Sequence, residues 1–289
     1  MTIWLIANPK AGAGQRGAGF WKESLARAGI SDFRVCDFDH DDWLDQVVPG
    51  DNLLVAGGDG SVNRAARLCL EKQAILGVLP SGTANDFARN LGIPLDPDKA
   101  CQLVARGPVT QVDVAFANDN LFLNVCHVGM GTWPVREASS ATKQTFGALS
   151  YLMTLLRRFK SHRGFHAEIE CDSGSMGGRW ISIAIATGAF YGGGNPVPEA
   201  SINDGQLDIV AVRPRSALRL LGAFLLFRFP RHAPRRPSAV VQIKSRHCAV
   251  KTRHQKTVTG DGEIMTRTPL EVRCHPDRLS VIAERIVET

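Results

Sequence analysis

Aromatic residues are scarce in this sequence: 7% of its 289 positions, with only two tyrosines. A platform for single-stranded nucleic acid needs aromatics on which bases can stack, so that class is disfavoured. A CxxC pair is also missing. The seven cysteines (36, 69, 101, 126, 171, 248 and 274) are scattered and odd in number. They argue against a disulfide framework or a zinc site and fit a reducing cytosol. Long hydrophobic runs are lacking too. The longest strongly apolar stretch is Leu220–Phe227, far short of the ~20 residues that span a bilayer. Met1-Thr2-Ile3-Trp4 has no basic region ahead of an apolar stretch and a small-residue cleavage site. No secretory signal is therefore expected. Neither an internal repeat nor a low-complexity segment is visible.

What is present points to a folded, two-part chain. Hydrophobic residues make up 44% and charged residues 21%, enough to bury a core. At ~150 residues per domain the length allows one large domain or two ordinary ones. The net charge of +6 hides an asymmetry. Residues 1–130 hold 11 basic and 15 acidic side chains, and residues 131–289 hold 23 and 13. A uniformly basic nucleic-acid binder would not have an acidic first half, so two regions with different partners are expected.

The first half alternates short apolar runs with helical patterns. Ile3–Ala7, Asn52–Ala56 and Ile75–Leu79 read as buried strands. Helices are expected near 17–28, after Ser61 as N-cap, and near 85–91, the last closed by Gly92. Strand–turn–helix units in series predict a three-layer α/β domain with a mostly parallel sheet over residues 1–120. From residue 109 on, strands are expected at 109–116, 121–128, 165–171, 180–187, 207–212, 239–243, 249–252 and 270–274. Turn signals such as Asp172-Ser173-Gly174 and Asn203-Asp204-Gly205 separate several of them, and a helix is expected near 146–159. This predicts an antiparallel β-sandwich over 121–289. The last strand, Leu279–Ala283, is left open between the two domains.

Three Gly-rich loops follow buried strands in the first half. They are Asn8-Pro9-Lys10-Ala11-Gly12, Gly57-Gly58-Asp59-Gly60-Ser61, and Pro80-Ser81-Gly82-Thr83-Ala84-Asn85-Asp86. Strand C-termini in an open parallel sheet share one edge, where ligands bind, so the loops should converge. Glycine lets backbone approach phosphate oxygens, and helix N-termini supply unpaired N–H groups. Asp59 beside a phosphate would repel it unless a divalent cation lay between. Asp86 and Asp113 invite the same logic, so the three acids suggest a Mg²⁺–nucleotide site. Singly, each has a plainer reading. Gly57-Gly58-Asp59-Gly60 can be a tight turn, Asp86 a helix N-terminal acid, and Asp113 a strand-end cap. Gly260-Asp261-Gly262 alone favours a plain hairpin turn.

Together, in this order, the three loops closely resemble the diacylglycerol kinase catalytic domain family, which also holds sphingosine, ceramide and bacterial phosphatidylglycerol-type lipid kinases. The resemblance continues through Asn124 to Gly131, Asp204-Gly205 with Leu207-Asp208, and Gly260-Asp261-Gly262-Glu263. It implies ATP held by Asn8, Pro9, Lys10, Ala11 and Gly12, by Gly57, Gly58, Asp59, Gly60, Ser61 and Asn63, and by Thr83. It implies a catalytic Mg²⁺ organised by Asp59, Asp86 and Asp113. A second, structural Mg²⁺ would sit at Ser201, Asp204 and Gln206. Asp261 would be the general base toward a lipid hydroxyl, with Glu263 beside it. Three positions depart from the family's habit: Ala11 stands for Ser, Ser61 for Thr, and Arg64 for Glu.

Residues 213–236 carry seven arginines and no acid, around the apolar run 220–227. They read equally as an interfacial element meeting an anionic membrane and as an amphipathic helix packed on the sandwich. The Gly192-Gly193-Gly194 run reads as a lid or a turn. His127 reads as a core or hinge residue. The expectation is therefore a lipid kinase in the cytoplasm, peripheral on the inner face of the membrane and without a nucleic-acid partner, with a homodimer left open. A soluble kinase resembling NAD kinase and a catalytically silent nucleotide-binding adaptor are the alternatives.

Overall fold

The computed structural model describes residues 1–7, 16–40, 42–129, 164–191, 193–197, 199–214 and 240–284. Asn8, Pro9, Lys10, Ala11 and Gly12, the helix expected near 146–159, and most of the 213–236 stretch lie outside the described residues.

The N-terminal half comprises β1 (Ile3–Ala7), α1 (Ala18–Arg27), β2 (Arg34–Cys36), β3 (Asn52–Gly57), α2 (Asp59–Lys72), β4 (Ile75–Pro80), α3 (Asp86–Asn90) and α4 (Pro97–Arg106). Its strands run β2-β1-β3-β4, all parallel. From the second residue on, β1, β3 and β4 are buried at every position. Successive strand residues face opposite sides, so both faces of this sheet must be covered, as parallel sheets require. Helix α2 starts at Asp59 with Gly58 as N-cap, three residues before the cap expected at Ser61. Sequence reading passes over α4, although Asp96 accepts from the Lys99 N–H at 3.0 Å and Pro97 opens the helix, both standard start signals.

The second half continues with β5 (Val109–Ala117), β6 (Asn120–Phe122), β7 (Val125–Gly129), β8 (Phe165–Cys171), β9 (Gly174–Trp180), β10 (Ser182–Ala186), β11 (Phe190–Tyr191), β12 (Asn195–Pro196) and β13 (Leu207–Val212). It closes with β14 (Val240–Ser245), β15 (His247–Thr252), β16 (Thr257–Gly260), β17 (Glu263–Arg267) and β18 (Leu270–Ile282). One antiparallel sheet runs β14-β13-β10-β7-β16-β17. It faces strands β5, β18, β15 and β8, which extend the first domain's own sheet. Between them lies a core of Ile169, Ile183, Ile185, Ile209, Val250, Val258 and Val272. The chain is thus an α/β domain followed by an antiparallel β-sandwich. The strand expected at 180–187 is β10, and β9 ahead of it is a strand that sequence reading does not anticipate.

Strand β18 resolves the position of Leu279–Ala283. It is one long strand with an irregularity between His275 and Leu279. Its first part pairs with β15 in the sandwich, and Val281 pairs in parallel with Leu76 of β4. Leu279, Val281 and Ile282 join the core of the first domain.

Candidate active site

The β3–α2 and β4–α3 loops meet backbone to backbone. A Cβ on Gly82 would lie 2.5 Å from the Cα of Gly58, and one on Gly58 would lie 3.1 Å from the Cα of Gly82. A side chain at Gly82 would therefore clash, and one at Gly58 would have to push the facing backbone aside. Gly57 is equally confined, since a Cβ there would sit 2.5 Å from that of Ser61. Asn85 adopts a left-handed conformation, and its carboxamide exchanges two 2.8 Å hydrogen bonds with Gly82. The turn is locked from within, which leaves Thr83 exposed at its tip.

Asp59 opens α2, and its Oδ1 accepts from the Phe87 N–H at 3.1 Å, tying the two loops together again. Burial pushes its carboxyl above the usual carboxylate range, and neighbouring Asp86 and Asp261 push the same way. Asp86 is itself buried. It accepts from the backbone of Gly193 (3.1 and 3.0 Å) and Gly194 (2.8 Å). The glycine run is therefore pinned to α3 at these two residues; Gly192 lies outside the described residues.

The segment 260–263 is a hairpin. Gly260 pairs with Glu263, and the two residues between them, Asp261 and Gly262, have φ of +47° and +91°. Positive φ at both central positions marks the Asp-Gly turn that fits the twist of a two-stranded ribbon. The plain-turn reading is thus geometrically right, yet the turn is anchored in the site. The Asp261 carboxylate accepts from the N–H groups of Leu123 (2.7 Å), Asn124 (3.0 Å) and Val125 (3.2 Å), and from Asn63 Nδ2 (3.0 Å). Burial pushes its carboxyl up, and these donors pull it back. Asn63 Nδ2 also donates to the Leu121 carbonyl at 3.2 Å, so its amide nitrogen joins α2 to the sandwich. Glu263 is exposed beside the helix start: a Cβ on Gly60 would lie 3.5 Å from its Oε1.

Asp113 belongs to a different neighbourhood. It is buried in β5 and accepts from the N–H groups of Gly205 (2.6 Å) and Asp277 (3.0 Å). The acids whose charges act on it are Asp277 and Asp204, whereas those acting on Asp59 are Asp86 and Asp261. The structure therefore brings Asp59, Asp86 and Asp261 together and places Asp113 with the 201–206 loop. Among the described residues, no three His, Cys, Asp or Glu side chains form a ready metal-holding group.

The two expected Mg²⁺ positions fare differently. Asp59 fits a cation, which would relieve the like charges around it. At the 201–206 loop the side chains fit one poorly. Ser201 Oγ donates to Asn203 Oδ1 (2.6 Å), and the Gln206 N–H donates to Asp204 Oδ1 (3.0 Å). Asp204 Oδ2 is paired with the Lys244 ammonium, which also lies 3.5 Å from the buried Asp208. Lys244 already supplies the positive charge there.

Two family profiles match the chain. Residues 2–117 match the diacylglycerol kinase catalytic domain, and residues 126–283 match the YegS C-terminal NAD kinase beta sandwich-like domain. The chain belongs to the YegS-like lipid kinase family, within the diacylglycerol kinase fold. A protein named "Probable lipid kinase YegS-like" from Pectobacterium atrosepticum is 37% identical over 165 residues, 55% of each chain. One of the same name from Cronobacter sakazakii is 31% identical over 233 residues, covering 78% of this chain and 76% of its own. A crystal structure of a candidate diacylglycerol kinase from Bacillus anthracis str. Sterne matches with a TM-score of 0.78 at 25% identity, over 98% of this chain and 96% of that one. The chain spans about half the length, 55%, of some curated relatives that it matches.

Proposed function

We propose that this chain transfers the γ-phosphoryl group of ATP to a hydroxyl of a lipid such as diacylglycerol. The observation that carries this reading is the meeting of two glycine-built loops at the start of α2 with the hairpin that presents Asp261 and Glu263. Phosphoryl transfer depends mainly on positioning and charge stabilisation, which such a cleft supplies. Asn8–Gly12, Gly57–Asn63 and Thr83 would hold the nucleotide. Asp59, with Asp86 next to it, would hold Mg²⁺, which neutralises phosphate charge when bound.

Of the two hairpin acids, Glu263 suits the general base better than Asp261. A base must reach the acceptor hydroxyl and take its proton. Four donors already occupy the two Asp261 oxygens, which leaves them little room to receive a substrate hydroxyl. Glu263 is exposed beside the start of α2. Asp261 then holds the hairpin that aims it.

Among the described residues, no helix is long and apolar enough to cross a membrane. The lipid would be met at a surface, and the basic residues of 131–289 favour an anionic one on the cytoplasmic side. The purified protein should label a lipid when incubated with labelled ATP, Mg²⁺ and a total lipid extract, read by mass spectrometry. NAD phosphorylation without lipid would favour the soluble kinase instead. Bound nucleotide with no ATP consumption would favour the adaptor.

A further inference from the structure

One buried side chain of α3 has no part in holding nucleotide, cation or lipid. Asn90 is 1% exposed. A carboxamide so deep needs partners for both its ends, and Asn90 has them. Its Oδ1 accepts from the Phe190 N–H at 2.8 Å. Its Nδ2 donates to Asn124 Oδ1 at 3.0 Å and to the Phe190 carbonyl at 3.4 Å. The backbone opposite makes room for it: a Cβ on Gly188 would fall 2.5 Å from Asn90 Nδ2 and 2.7 Å from its Cγ.

The partner it grips is one of the residues that hold the hairpin. The Asn124 N–H donates to Asp261 Oδ1, and its carbonyl accepts from the Thr187 N–H at 3.0 Å. One turn earlier on the same face of α3, Asp86 binds Gly193 and Gly194. A continuous chain therefore runs from α3 through Asn90 and Asn124 to Asp261, two residues from Glu263. At its other end α3 begins in the loop locked by Asn85. Buried networks of this kind define one geometry only while every member is satisfied.

We propose that Asn90 is a positioning residue that fixes Glu263 relative to the nucleotide loops by holding Asn124 under the Asp261 hairpin. This rests on the phosphoryl-transfer reading above. The proposed general base, Glu263, sits on the sandwich and the nucleotide loops on the first domain, and Asn90 links the two. Its effect should fall on turnover and leave nucleotide binding intact, because it touches none of the residues expected to hold ATP.

The test uses the full chain in two forms, Asn90→Ser and Gly188→Ala. The first shortens the carboxamide without burying a charge. The second leaves Asn90 in place and denies it room. Hydrogen exchange is expected to show faster exchange at the amides of Leu123–Val125 and at Asp261–Glu263 in both variants. The amides of β1 and β3 should keep their protection. Turnover should fall about 10- to 100-fold, with the KM for ATP within about twofold of the parent, as expected for a misplaced reacting group. Unchanged protection at 123–125 and 261–263 would overturn the proposal, as would parental turnover in both variants. The exchange measurement needs no reaction. A parent protein that phosphorylates no lipid would count against the lipid kinase reading, while the exchange data still judged the Asn90 linkage.

Discussion

Asp59 is an acid that the fold would rather keep neutral. Burial holds its carboxyl above the usual range, and Asp86 and Asp261 add to the effect. A carboxyl raised on folding contributes stability that is fully present below its unfolded value, near 4, and is lost as the pH rises through the folded value. At pH 7 the ionised form is therefore a strain on the ligand-free protein. Asp59→Asn keeps a carboxamide oxygen for the Phe87 N–H. It should raise the Tm at pH 7 by about 2–4 °C while abolishing transfer, and the gain should shrink in scans at pH 4. Asp261 and Glu263 should part in the opposite way. In Asp261→Asn an amide NH₂ would face backbone N–H donors, so urea titration should show a loss of about 1–3 kcal/mol. Glu263→Gln, at an exposed position, should leave the urea midpoint unmoved and remove turnover. An Asp261→Asn variant as stable as its parent would return Asp261 to the role of base.

The elements show why some of this was legible and some was not. β1, β3 and β4 announce themselves as unbroken apolar runs, because burial on both faces leaves no polar position to interrupt them. β9 is hidden: Gly174, Gly177 and Gly178 strip it of side-chain pattern, and only its pairing with β8 makes it a strand. The hairpin of β16 and β17 was legible as a turn from Asp261-Gly262 alone. What it holds was not, since the donors to Asp261 come from residues 123–125 and Asn63, far away in sequence. Asn90 and Lys244 escaped for the same reason. Lys244 stands 29% exposed over Asp208, which is 1% exposed. Lys244→Met would leave that buried carboxylate without its cation. A fully buried pair broken on one side loses about 3–5 kcal/mol, and partial exposure of the lysine should reduce this to about 2 kcal/mol. Adding Asp208→Asn should recover much of that loss, and a double-mutant cycle measured by denaturation checks it.

For the whole molecule, charge and topology divide differently. The first 130 residues carry a net −4 and the remainder +10, yet a single sheet runs through both regions. If the basic part meets the membrane, co-sedimentation with anionic vesicles should weaken steeply between about 0.05 and 0.5 M salt, because the screening length shrinks over that range. Neutral vesicles should retain little protein at any salt concentration. Retention on anionic vesicles that ignores salt would point to apolar insertion as the dominant force.

Strand β18 also dictates an order of events during synthesis. The edge of β4 and the core around Leu279, Val281 and Ile282 stay open until residue 282 has emerged, with Val281 following its partner Leu76 by about 200 residues. So distant a parallel pairing closes slowly. In the meantime the nascent first domain presents an unpaired apolar strand edge, the surface on which newly made chains join one another. The glycine-rich loops are thus seated in a domain that cannot finish folding until the β-sandwich has been made.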